Sequence, residues 1–216
     1  MLLFHCSQAA VEGLTFTRKG QQRTWVTYEP LVGEKREPGI DWEWHLHQVT
    51  IEGQWFWVAM EQQSRFAMLL IGIKKGDGEG LLDCFYQRLA NHLYWLLTNR
   101  NLLDEQQAES FVQHMLAQLA PVRYLPDSEP GMQADINEVV KVCRLTVAQH
   151  SSLFDKEESA AKFDLYLNHL EYQVDKDVSL FPDEQWVYLV QERLAGHHPI
   201  TGEAVKAAFK AARRDG

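Results

Sequence analysis

Cysteine is scarce in this sequence, with only Cys6, Cys84 and Cys143. The number is odd, no two lie close together and no Cys-x-x-Cys pair occurs, which argues against a zinc ribbon, a thioredoxin-type centre and a disulfide framework. Three reduced thiols fit a reducing compartment. Long apolar runs are also missing. Phe66 to Ile73 is the longest, far short of the ~20 residues that span a bilayer. The opening Met-Leu-Leu-Phe-His-Cys-Ser lacks the basic start and extended apolar segment of a secretory signal. The expectation is a cytoplasmic protein with no membrane attachment. Positive charge is in short supply, with 21 Lys and Arg against 30 Asp and Glu and a net charge of −9. Nucleic acid is therefore disfavoured as a partner, since phosphate neutralisation by Lys and Arg supplies most non-specific affinity. No G-x-S-x-G, H-E-x-x-H, protein-kinase, P-loop or dinucleotide signature is present, and no cofactor is indicated.

What remains has the apolar and charged content of an ordinary globular protein, 45% and 24% over 216 residues. Such a chain buries roughly 70% of its unfolded surface and needs no disulfide or metal staple. We read residues 1–216 as one α+β domain, sheet-rich over 1–75 and helical over 81–214. An N-terminal antiparallel meander of about four to five strands packs against the helical two-thirds. Leu2 to His5 opens as a strand, followed by a helical turn through Ala9, Val11 and Leu14. Arg23 to Tyr28 carries strand-favouring residues, and Pro30, Gly33, Pro38 and Gly39 then mark a polar loop.

Residues 42–73 read as a three-stranded antiparallel meander. Trp42, Trp44 and Leu46 alternate with Glu43, His45 and His47. The apolar set then shifts to Val49 and Ile51, a switch that a bulge near Gln48 would explain. Glu52-Gly53 suits a tight turn. Leu82, Phe85, Leu89 and Leu93 recur at helical spacing and are expected to face the sheet. Asp104 is a suitable N-cap, and Pro121, Pro126, Pro130 and Gly131 place a linker or long loop over 121–132. A helix carrying Ile136, Val139, Val140 and Cys143 follows. Further helices are expected over Lys162 to Val174, from Pro182 to Gly196, and after Thr201.

Candidate sites are few. His45 and His47 sit two apart on a strand, so both rings point the same way and could begin a metal site. A third ligand is lacking from the pattern, and two polar residues on the wetter face of the strand explain them equally. We expect them not to share a structural metal. Lys74-Lys75-Gly76-Asp77-Gly78-Glu79-Gly80 joins a strand to a helix where phosphate-cradling loops sit. Its spacing fits neither phosphate motif and its carboxylates would repel a phosphate, so a strand-to-helix turn is the simpler reading. Trp42, Trp44, Trp55 and Trp57 lie on neighbouring strands, either as a stacking surface or as a core face under the helices.

The opening Met-Leu-Leu-Phe-His-Cys-Ser, the meander Trp44 to Leu70, and Gly72-Ile73-Lys74-Lys75 leading into a helix resemble a family of small uncharacterised bacterial proteins. The resemblance covers about the first two-thirds of the chain. In that family a Met-Asn-Asp or Met-Asn-Glu segment begins a later helix, and Asp135-Ile136-Asn137-Glu138 is the nearest match here, with Ile in place of Met. The resemblance implies an α+β fold and carries no activity. It points to Lys74, Lys75, Asn137 and Glu138 as positions to test, although the last two could simply decorate a helix N-terminus.

Two functions remain open. One is a binding or regulatory protein with a basic protein partner. Between Asp155 and Glu192 ten carboxylates face three lysines, a balance of −7 that makes up most of the chain's −9. Asp175, Asp177, Asp183 and Glu184 are the docking candidates on this acidic helical face, which solubility alone could also explain. The other is a hydrolase or transferase acting on a nucleotide or phosphorylated substrate, with Lys74 and Lys75 meeting Asn137 and Glu138 in one cleft.

Overall fold

Leu2–Cys6 (β1) is buried at every position, as expected of a strand with neighbours on both sides and cover on both faces. The computed structural model describes residues 1–28, 41–149, 156–175, 178–196 and 198–215, the side chains of residues 175 and 215 excepted. The loop marked by Pro30, Gly33, Pro38 and Gly39 lies outside the described residues, as do Asp155, Lys176, Asp177 and His197.

Ser7 caps the short helix Gln8–Gly13 (α1), accepting the Ala10 N–H. A small hairpin follows, Thr15–Arg18 (β2) with Gln21–Thr24 (β3). The strand expected over Arg23 to Tyr28 stops at Thr24, and Val26 makes a single parallel bridge to Tyr124. The meander forms where the alternation places it, as Trp42–Ile51 (β4), Gln54–Glu61 (β5) and Ala67–Ile71 (β6), paired antiparallel in that order. Glu52 and Gly53 both have positive φ, 50° and 81°. This is the two-residue hairpin geometry whose twist matches its strands.

No bulge interrupts β4. Its pairing with β5 is continuous from Trp44↔Glu61 to Ile51↔Gln54. The apolar set changes sides because each face is covered at a different end of the strand. Trp42, Trp44 and Leu46 join one core, and Val49 and Ile51 join another on the opposite face.

The helices are Gly78–Asn99 (α2), Glu105–Ala117 (α3), Pro130–Gln149 (α4), Glu157–His169 (α5), Pro182–Arg193 (α6) and Gly202–Asp215 (α7). Asp104 caps α3 in a full capping box, and Pro182 opens α6. In α2 the buried stripe is Leu81, Phe85, Leu89 and Leu93, while Leu82 is only partly buried, one position off the stripe. The proline-marked segment after α3 holds Val122–Leu125 (β7). The helix expected to Val174 ends at His169, and Tyr172–Asp175 (β8) pairs with Val178–Leu180 (β9) instead.

The main sheet runs β6-β5-β4-β1-β7, with β1 parallel to both β4 and β7. It is therefore mixed rather than purely antiparallel. Helices α2, α3, α6 and α7 cover one face and α4 and α5 the other. The tryptophans settle into the first core: Trp42, Trp44 and Trp57 are buried and Trp55 is half-buried. Trp186 of α6 packs among Trp42, Trp44 and Phe66, with ring centroids 5.7, 5.4 and 5.8 Å away. Gly13 lies so close to Trp57 that a Cβ there would sit 2.7 Å from the indole ring, which fixes how near α1 approaches the sheet.

The free edge of β6 is closed by side chains. Asn168 of α5 accepts the Ala67 N–H and donates to the Ala67 carbonyl, both at 2.7 Å. Two residues on, Asp164 accepts the Leu69 N–H at 2.8 Å and Arg88 donates to the Leu69 carbonyl at 3.3 Å. Asp164 is fully buried and also accepts from Arg88 at 2.7 Å, with His92 Nε2 at 3.0 Å. Removing one partner of such a group strands the remaining charge without water, a loss of about 3–5 kcal/mol. Asp164→Ala should therefore lower stability by that amount in urea unfolding, whereas truncating the exposed Glu158 should leave it essentially unchanged.

Candidate functional site

Strands β1 and β7 are parallel neighbours whose following helices leave on opposite faces of the sheet. The helix after β1, α1, packs Ala10 and its C-cap residue Leu14 into the first core, and the one after β7, α4, packs Met132 and Ile136 into the second. The carboxyl ends of strands with such a divergence are the usual ligand site of open α/β sheets. Here β1 delivers His5 and Ser7, β4 delivers His45 and His47, and the segment after β7 delivers Asp127 and Gln133.

The inner group is built on His5. Its Nδ1 lies 2.9 Å from Asp127 and its Nε2 lies 3.2 Å from Glu43. Burial works against the charge, but the two carboxylates outweigh it and hold His5 above the ordinary histidine range. His45 stacks on it at 4.8 Å and reaches Gln62 through Nε2 at 3.3 Å. Burial first, and the neighbouring His5 charge second, push His45 down to about 4. The two carboxylates favour the protonated form of His5, the form that has no lone pair to offer a metal. Among the described residues no group of three or more His, Cys, Asp or Glu is placed to hold a metal ion.

His47 belongs to a second group. Ser7 Oγ lies 2.9 Å from its Nδ1 and Gln133 Nε2 lies 3.4 Å from the same atom. Ser7 Oγ already accepts the Ala10 N–H, so its own O–H is free to donate. Gln133 Nε2 also donates to Asn137 Oδ1 at 3.2 Å. Two donors aimed at Nδ1 make it the acceptor, and the ring proton of the neutral imidazole then sits on Nε2. Burial, and behind it the charge of Arg144, keep His47 below the usual range and so favour the neutral ring. His47 lines an open cleft of about 380 Å³ with Val49, Asn137, Val140, Lys141, Arg144 and Leu145. Among the described residues Arg144 makes no ion pair, while Lys141 meets Glu138 at 3.2 Å on the surface.

The residues picked out from the sequence separate. Asn137 reaches this cleft, but from the middle of α4 rather than from its start. Glu138 is exposed and paired with Lys141. Lys74 and Lys75 are exposed in the turn before α2, and Lys75 borders a different cleft beside α1, with Gln8, Glu12 and Tyr28. The four groups do not meet in one pocket. That turn is a helix cap: Gly76 takes a φ of 77° and Asp77 accepts the Gly80 N–H at 2.9 Å.

Asp183 and Glu184 are buried, not part of a solvated face. Asp183 lies 3.0 Å from His169 and 3.8 Å from Arg100, and Glu184 is bound to Arg213. They join α6 to its neighbours, which the sequence concealed because acidic residues in a helix's first turn ordinarily face water. Asp177 and the side chain of Asp175 lie outside the described residues. Lys141 and Arg144 follow Asn137 by four and then three residues, a helical-face spacing that the sequence did display. Ser7 and Gln133 offered no comparable signal.

Residues 3–185 match the family described as Domain of unknown function (DUF6933). The chain belongs to this family. Among curated proteins and among solved structures, none matches the chain. The resemblance read from the opening strand, the meander and the Lys-Lys turn agrees with membership of an uncharacterised family. The DUF6933 match takes in Ser7, His47, Asp127, Gln133 and Arg144 and ends in the first turn of α6, so α7 lies beyond it.

The histidine assignments can be read by NMR titration. His45 should titrate near 4 and His5 above 6.5. His5→Gln removes a neighbouring cation, so His45 should then move upward. An unmoved His45 would show that the stacked ring carries no charge.

Proposed function

We propose that this chain is a small-molecule binding protein whose site is the cleft between β4 and α4, and that its ligand carries an anionic group. The observation that carries this reading is the convergence of Arg144, Lys141, Asn137 and His47 on one cleft. Arg144 makes no ion pair among the described residues, and Ser7 and Gln133 hold the His47 ring as a donor toward the cleft. Such donors suit a carboxylate or a phosphate. The three thiols are free, with Cys6 and Cys143 buried, which supports a reducing cytoplasm as the place of action. No helix among the described residues is long and apolar enough to cross a membrane.

A basic protein partner on the acidic face has less support, because Asp164, Asp183 and Glu184 are buried in internal contacts. What remains exposed there includes Glu157 and Glu158, and Glu158 pairs with Lys162 at 2.7 Å. The hydrolase or transferase reading needs Lys74 and Lys75 beside Asn137 and Glu138, and those groups are separate.

Sulfate, which stays ionised across the working range, is a suitable probe at low salt. Binding should perturb the NMR signals of His47, Asn137 and Arg144, and Arg144→Ala should weaken it about tenfold, or roughly 1.4 kcal/mol. Because an anion favours the protonated imidazole, affinity should rise as pH falls through the His47 titration. Equal binding by wild type and Arg144→Ala would sink the proposal.

A further inference from the structure

The cleft is lined by two kinds of side chain. Asn137, Lys141, Arg144 and His47 supply polar donors, and Val49 of β4, Val140 and Leu145 supply apolar surface. Val49 and Val140 are 8% and 6% exposed, but Leu145 is 58% exposed. A leucine left this open, on a helix that buries Met132, Ile136, Val139, Val140, Cys143 and Val147, gains by being covered, and the cleft it borders is of ligand size. Arg144 and Leu145 are adjacent in sequence, so the charge and the apolar wall are presented side by side.

We infer that the ligand is an amphiphilic anion, a compact apolar body joined to one carboxylate or phosphate head. This rests on the anion-binding reading above and names the class of molecule that site takes. The head lies against Arg144, Lys141 and the His47 N–H, and the body covers Val49, Val140 and Leu145. A nucleotide fits less well. The cleft's planar groups, His47 and Arg144, are engaged by the anionic head, no Phe, Tyr or Trp is among its lining residues for a base to stack on, and Asn137 is the sole amide among them.

The test compares matched probes on the full chain by calorimetry or NMR. Phenyl phosphate is set against inorganic phosphate, and 4-methylpentanoate against acetate, so that the two series separate the possible heads. Adenosine monophosphate is the nucleotide probe. The expected result is at least about a tenfold gain from the apolar body in one of the two series, a factor that corresponds to roughly 1.4 kcal/mol. Leu145→Ser, a change at an exposed position, should remove most of that gain. Arg144→Ala should weaken both members of the pair.

If the bare anions bind in the cleft and the apolar bodies add nothing, the amphiphile inference is wrong and the anion site stands. If the nucleotide binds tightest, the inference is overturned in favour of base recognition. If no probe binds, the anion-binding reading fails and this inference with it. An unchanged gain in Leu145→Ser would also refute it, since the body would then lie elsewhere.

Discussion

Asp164 is the point at which three elements are joined. Its carboxylate holds the outward N–H of β6, the guanidinium of α2 and the imidazole of His92, while fully buried. A sheet edge left open presents unpaired backbone groups that invite another chain. Here α5 stands in for the missing strand, with the Asn168 amide imitating a peptide group at Ala67 and the Asp164–Arg88 pair serving Leu69. The arrangement costs the desolvation of a carboxylate, a guanidinium and an imidazole. It holds because each group has its partner.

With that edge closed, both faces of the sheet can be dry. The first face receives the aromatic core around Trp186 and the second receives α4 and α5. Because β1 is buried on both sides, the chain can place polar groups only at its carboxyl end, where the helices diverge. His5, Ser7, His45 and His47 gather there for that reason. Their different fates follow from their partners. Carboxylates flank His5, the His5 ring stacks on His45, and His47 has a hydroxyl and an amide on one nitrogen and lines a cleft.

Much of the architecture was legible. Alternation at the start of Trp42 to Ile51 and the apolar runs that follow it located three strands over 42–73, and a 3.6-residue period located α2, α3 and α4. Asp104 and Pro182 marked helix starts because capping is local chemistry. Errors arose where one strand or helix answers to two environments. The apolar shift in β4 imitates a bulge, but it records which face is covered at each end. Strand β7 was hidden in a proline-marked segment because a four-residue strand is too short for periodicity to identify.

For the candidate site, residue types and local spacing determined only what could act: two histidines sharing one face of β4, and Asn137, Lys141 and Arg144 sharing one face of α4. Which groups meet was decided by tertiary structure alone. The parallel pairing of β1 with β4 sets His5 on His45 and Ser7 beside His47, across about forty residues of chain in each case. The same packing buried Asp183 and Glu184 and left Lys74 and Lys75 apart from Asn137. Local sequence constrains dihedral angles and the side on which a residue points. Long-range pairing and helix docking set distances between residues remote in sequence, and binding depends on those distances.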